Sequence, residues 1–162
     1  MENAKDTFYI ALRDRLAAVN PARTVVVRGT IRPGVLVEGN ELPTAVTLTD
    51  AFVLRWPGLH VDARGAMPLL RMQCEVEYCT DGSAGNAGMD RGRSLAAMDA
   101  ELVKILAPQH AQKMDYAAMP AVAMGTSVFW GDVSFGAATL DGERLRRVAT
   151  VDVFAYQEAG EA

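Results

Sequence analysis

Residues 69–106 constrain this chain more than any other stretch, because they read strand, glycine-rich turn, helix. LLRMQCEVEYC alternates: Leu70, Met72, Cys74, Val76 and Tyr78 fall on one face, and Arg71, Gln73, Glu75 and Glu77 on the other. That period of two marks a half-buried strand. After TDGSAGNAGM, the run DRGRSLAAMDAELVKIL places Leu95, Met98, Leu102 and Ile105 at helical spacing, as one apolar stripe. Gly82, Gly85 and Gly88 break regular structure between the two, and Asp90 is the expected N-cap of the helix. The unit states an architecture and no chemistry.

The rest of the chain supplies partners for that unit. Phe8, Leu12, Leu16 and Val19 repeat at helical spacing opposite Lys5, Arg13 and Asp14, so residues 4–19 are an amphipathic helix, ended by Asn20-Pro21. Thr24–Arg28 is a short strand with three consecutive valines. Residues 29–49 carry Gly29, Pro33, Gly34, Gly39 and Pro43, and read as a pair of short strands or an extended excursion held by turns. Ala51–Trp56 and Leu59–Arg64 flank Pro57-Gly58 as an expected hairpin. Residues 107–126 lose periodicity and accumulate Ala, Met and Pro; a connection of that kind marks a functional or mobile segment. Ser127–Ala137 and Leu145–Gln157 close the chain as a hairpin turning at Asp141-Gly142, and the final AGEA is expected to fray.

Half of the 162 residues are apolar, enough for one core, and nothing marks a second domain. The expectation is a single α+β domain over 1–162: a mostly antiparallel sheet with an N-terminal and a central helix packed on it, a C-terminal β-hairpin, and excursions at 29–49 and 107–126. The net charge of −4 argues against a nucleic-acid surface. Neither a basic-then-apolar leader nor a membrane-length apolar run is seen, and no membrane partner is expected. Cys74 and Cys79, five apart on one strand, lie roughly 16 Å from each other, too far to pair. An unpaired inward Cys74 suits a reducing compartment, so the expected location is cytoplasmic.

Chemistry is sparse. GSAGNAG has neither dinucleotide-fold nor P-loop spacing, and Asp90 places a carboxylate where a bound anion would sit. His60 and His110, the only histidines, have no metal-ligand company nearby in sequence. Cys79 with His60 is a nucleophilic pair only if the fold brings them together. Glu75 and Glu77 read as a solvated sheet face. Trp56, Trp130, Phe129, Phe135, Phe154 and Tyr156 are either an aromatic binding surface or core and subunit interface. No catalytic residue, cofactor or metal is expected, and no enzyme.

The order of elements resembles that of the tail terminator (tail completion) proteins of long-tailed bacteriophages and phage-tail-like particles. The residues that carry the likeness are the strand running into TDGSAGNAGMDRGRSLAAMDAEL and the last strand, with Arg147, Ala149, Val151 and Val153 in an R-x-A-x-V-x-V pattern. Residues 29–49 and 107–126 depart from the family's pattern. The resemblance implies a structural protein without an active site. It implies a ring, usually of six copies, that caps the tail tube, stops its growth and meets the neck. Partners are then further copies of the chain and the tube and neck proteins, and the place is the cytoplasm during assembly and the particle afterwards. Expected interface residues are Arg28, Arg32, Val35 and Val37, then Met114, Tyr116 and Met119, and Arg144, Arg146 and Arg147. Val25–Val27, a valine-rich edge, would need covering by a neighbour. Two other classes remain: a small ligand- or peptide-binding module with 107–126 as lid, and a small enzyme around Cys79, Asp81 and His60.

Overall fold

A computed structural model describes residues 1–40 and 48–161. The N-terminal helix α1 (Glu2–Val19) buries Phe8, Leu12 and Leu16, as its spacing requires, and stops where Pro21 forces Asn20 out of helical geometry. A two-stranded hairpin follows, β1 (Thr24–Val27) and β2 (Thr30–Pro33), which forms a sheet of its own. β3 (Val35–Val37) then begins the main sheet. It runs parallel to β4 (Phe52–Asp62), and all other pairings are antiparallel.

β5 (Leu69–Thr80) is the long alternating strand, and α2 (Arg91–Ile105) the helix after the glycine turn. β6 (His110–Asp115) and β7 (Val122–Trp130) form a hairpin. β8 (Ser134–Phe135), β9 (Thr139–Asp141) and β10 (Arg144–Tyr156) complete the chain. The order across the sheet is β3-β4-β5-β10-β7-β6, with β8 and β9 pairing the free length of β10. This is an α+β fold with a mostly antiparallel sheet.

Both helices lie on one face of the sheet, where Leu70, Met72, Cys74, Val76 and Tyr78 meet Leu95, Met98, Leu102 and Ile105. α1 touches β3 and β6, the two opposite edges, so the sheet curls around it. Phe8 anchors that wrap: its ring meets Trp56 of β4 and Trp130 of β7 edge to face, at 5.7 and 5.1 Å between centroids.

Several expectations change. Ala51–Trp56 and Leu59–Arg64 are one strand, β4, rather than a hairpin. A shift of register between Arg55 and Gly58 leaves Trp56-Pro57 out of the ladder, so the missing proline N–H costs no strand bond there. Residues 107–126 are largely the β6–β7 hairpin rather than an unstructured connection, with a turn that includes a cis Met119-Pro120 bond. Its periodicity is hidden because the fully buried residue of β6 is Lys113. The closing hairpin does turn at Asp141 and Gly142, but its first arm is broken into β7, β8 and β9, each pairing a different stretch of β10. The C-terminal Glu161 is buried rather than frayed. Within the 29–49 excursion, residues 41–47 lie outside the described residues.

Candidate functional site

Three regions hold expected interface residues, a fourth was not foreseen as a unit, and the four differ in kind. The first is the β1–β2 arm. Its base is fixed: the Arg23 guanidinium pairs with Glu101 of α2 and donates to the Asp50 carbonyl at 3.0 Å. Beyond that base, Val26 and Ile31 stand directly opposite each other and are 66% and 71% exposed. Arg28 sits at the turn with φ +49° and is exposed, and Arg32 is half-buried. Val35 and Val37, also expected at an interface, are instead core residues, because β3 is roofed by α1.

The second region is the β6–β7 hairpin. Met114 and Tyr116 are half-buried against α1, and the Met114 N–H donates to the Thr7 hydroxyl at 3.0 Å. That bond occupies a donor on an edge strand which would otherwise be open to another chain. Met119 is 97% exposed at the tip. Lys113 holds the hairpin to the C-terminal segment. Its ammonium donates to the Tyr156 carbonyl at 2.7 Å and to Glu161 at 2.6 Å, and lies 3.2 Å from Glu158. Glu158 also accepts the Thr126 hydroxyl and the Gly125 and Thr126 N–H groups, which bring its carboxyl down to about 2. Burial alone would raise the Glu161 carboxyl, but the Glu158 N–H and Lys113 outweigh it and hold it below the ordinary value.

The third region is the arginine run of β10, expected as a free basic patch. The structure spends these charges internally. Arg144 bonds Asp81 at 3.1 Å, Arg146 bonds Glu77 at 2.7 Å, and Arg147 bonds Asp99 at 2.7 Å. Glu77 is therefore buried between Arg146 and Arg55 and is no solvated residue.

The fourth region was missed as a unit. On the sheet face away from the helices, register aligns His60, Arg71, Phe154, Phe129 and His110 in one row across five strands. Phe129 and Phe154 stack at 5.4 Å, Tyr156 follows Phe154 on the same face, and Arg71 bonds Asp152 at 2.6 Å. The aromatic residues thus divide: Trp56, Trp130 and Phe135 join the core side, while Phe129, Phe154 and Tyr156 face outward. The signal that could have found them is parity, since Phe154 and Tyr156 alternate with the inward Val153 and Ala155.

The nucleophile reading does not survive the register. Cys79 pairs with Arg146 and His60 with Arg71, positions roughly 26 Å apart along β5. Burial pushes the Cys79 thiol up rather than down. Cys74 and Cys79 are both free, as their spacing requires. The histidines share a face but stand four strand spacings apart, roughly 19 Å on a flat sheet. No cluster suited to a metal ion occurs among the described residues. In the glycine turn, Asp90 precedes α2 as expected, but its carboxylate turns back to accept the Ser83 N–H at 2.9 Å and Asn86 at 3.3 Å. Those bonds hold it at about 2 and keep a negative charge at the helix start.

The geometry defines an α+β domain with two projecting hairpins and an open aromatic sheet face. No protein-family model matches the chain, and no curated protein matches it significantly. Among the described residues, no helix is long and apolar enough to cross a membrane.

Proposed function

We propose that this protein is a structural subunit of a phage tail or phage-tail-like particle. In this role copies of the chain form a ring, most simply of six, that caps the tail tube, stops its polymerisation and joins it to the neck. The observation that carries the reading is the β1–β2 arm. Two β-branched residues stand paired and exposed on a hairpin outside the main sheet, and a lone two-stranded hairpin gains little stability in water. Such an arm is useful where a neighbouring molecule covers it. The R-x-A-x-V-x-V strand on which the resemblance rests, β10, lies at the centre of the sheet. The 107–126 segment is a paired hairpin held by Lys113, which weakens the competing picture of a lid over a ligand pocket.

The test is native mass by light scattering over a concentration and salt series, with negative-stain imaging of the same samples. A closed oligomer of about six chains seen as annular particles is the expected result. A strict monomer at every concentration would overturn self-assembly and bring forward the binding-module reading.

A further inference from the structure

We propose that the β1–β2 arm of one copy docks on the open sheet face of the next, with Val26 and Ile31 packing on Phe129, Phe154 and Tyr156. This rests on the ring reading above and specifies its contact. Shape comes first. Val26 and Ile31 are opposite one another on a short ribbon, so their side chains share a face and form one apolar ridge. Phe129, Phe154 and Tyr156 lie on adjacent strands of a sheet whose other face is fixed to the core, a rigid apolar floor. A sheet face is the natural seat for a ribbon, and aromatic residues are the ones enriched at interface centres. The other exposed apolar side chains near turns, Met89, Met119 and Leu140, are scattered single residues, which need no partner.

Charge points the same way. Residues 24–33 hold Arg28, exposed at the turn, and no carboxylate, while the whole chain carries −4, so the tip of the arm is basic against an acidic body. The exposed Asp132 follows β7 directly after Gly131, whose N–H donates to the Asp152 carbonyl at 3.1 Å. Arg71 on that face is already neutralised by Asp152 and does not oppose the incoming Arg28. A basic arm and an acidic body attract in one orientation and repel arm against arm. The contact is heterologous: arm and floor are different patches of the same chain, the kind of interface that builds a ring when the rotation between copies closes. Each copy makes the contact twice, once as donor and once as recipient.

Two double variants test this. Val26→Ser/Ile31→Ser removes the ridge and keeps the floor; Phe129→Ser/Tyr156→Ser removes the floor and keeps the ridge. Each alone is expected to be monomeric, with circular dichroism unchanged. Mixed in equal amounts they should give one-to-one dimers and nothing larger, since one arm and one floor remain. Arg28→Glu and Asp132→Lys, which disturb no packing, should each weaken assembly roughly two- to fivefold, with partial recovery when combined. A mixture that stays monomeric while the unaltered protein assembles would overturn the docking mode and leave the ring standing. So would wild-type assembly by either double variant. An unaltered protein that is monomeric throughout would overturn both.

Discussion

The two hairpins of this domain, β1–β2 and β6–β7, are built on opposite terms. β1–β2 keeps its base tied through Arg23 and presents Val26 and Ile31 to solvent. β6–β7 buries its one charged inward residue, Lys113, and pairs it with two carboxylates from the C-terminal segment. Both leave apolar side chains in solvent, Val26 and Ile31 on the first and Met119 and Val122 on the second, but only the second is also stapled to its own body by a buried, counter-charged lysine. The difference teaches that projection alone does not identify an interface: what the arm still lacks does.

Breaking the staple should have the largest effect on stability. Lys113→Ala would leave the buried Glu161 beside Glu158 with only the N-terminal ammonium, 3.6 Å away, as its cation, a loss of about 3 kcal/mol, the low end for a buried pair missing one partner. The midpoint of urea unfolding should fall accordingly. A shift equivalent to less than about 1 kcal/mol would mean that water reaches Glu161 and that the staple is superficial.

The staple also shows where sequence reasoning reached its limit. α1, β5 and α2 were legible because Phe8, Met72 and Leu102 each belong to an apolar repeat whose period names the element. β6 was invisible because its buried residue is a lysine, and no hydropathy pattern can show a charge compensated from 45 residues away, by Glu158. β4 was split in the reading because Pro57 is a strand breaker in general, and only the register against β5 shows that a bulge absorbs it. The interface residues divided for a similar reason. Arg144, Arg146 and Arg147 looked like a free patch, but their partners Asp81, Glu77 and Asp99 come from other elements. Arg28, by contrast, is exposed at the β1–β2 turn beside Val26 and Ile31.

Acid should separate the hairpins more gently. Glu158 titrates at about 2 in the folded protein against an ordinary 4.5, so its contribution is complete above pH 4.5 and is lost as the pH falls through about 2. Glu161 is shifted in the same direction and adds to the loss. Between pH 4.5 and 2, hydrogen-exchange protection of the Gly125 and Thr126 amides, which donate to Glu158, should decline. Residues 24–33 contain no carboxylate, so their protection should not follow that titration. Glu158→Gln should flatten the Gly125 and Thr126 response. Equal decline in both hairpins would show that acid loosens the whole sheet instead.

The smallest effect on stability belongs to the arm. Val26→Thr with Ile31→Thr keeps β-branching and changes residues that are mostly solvated, so the unfolding free energy of the monomer should move by no more than about 0.5 kcal/mol. The same substitutions remove the ridge from any contact with a neighbour, so the concentration at which the protein assembles should rise. Thermal unfolding at the lowest workable concentration, set beside light scattering at the highest, measures the two quantities separately. A clear loss of monomer stability would show that Val26 and Ile31 support their own chain, making the arm a second stapled hairpin. Unchanged stability with weakened assembly would instead place their contribution between molecules, which is where their exposure in the single chain says it belongs.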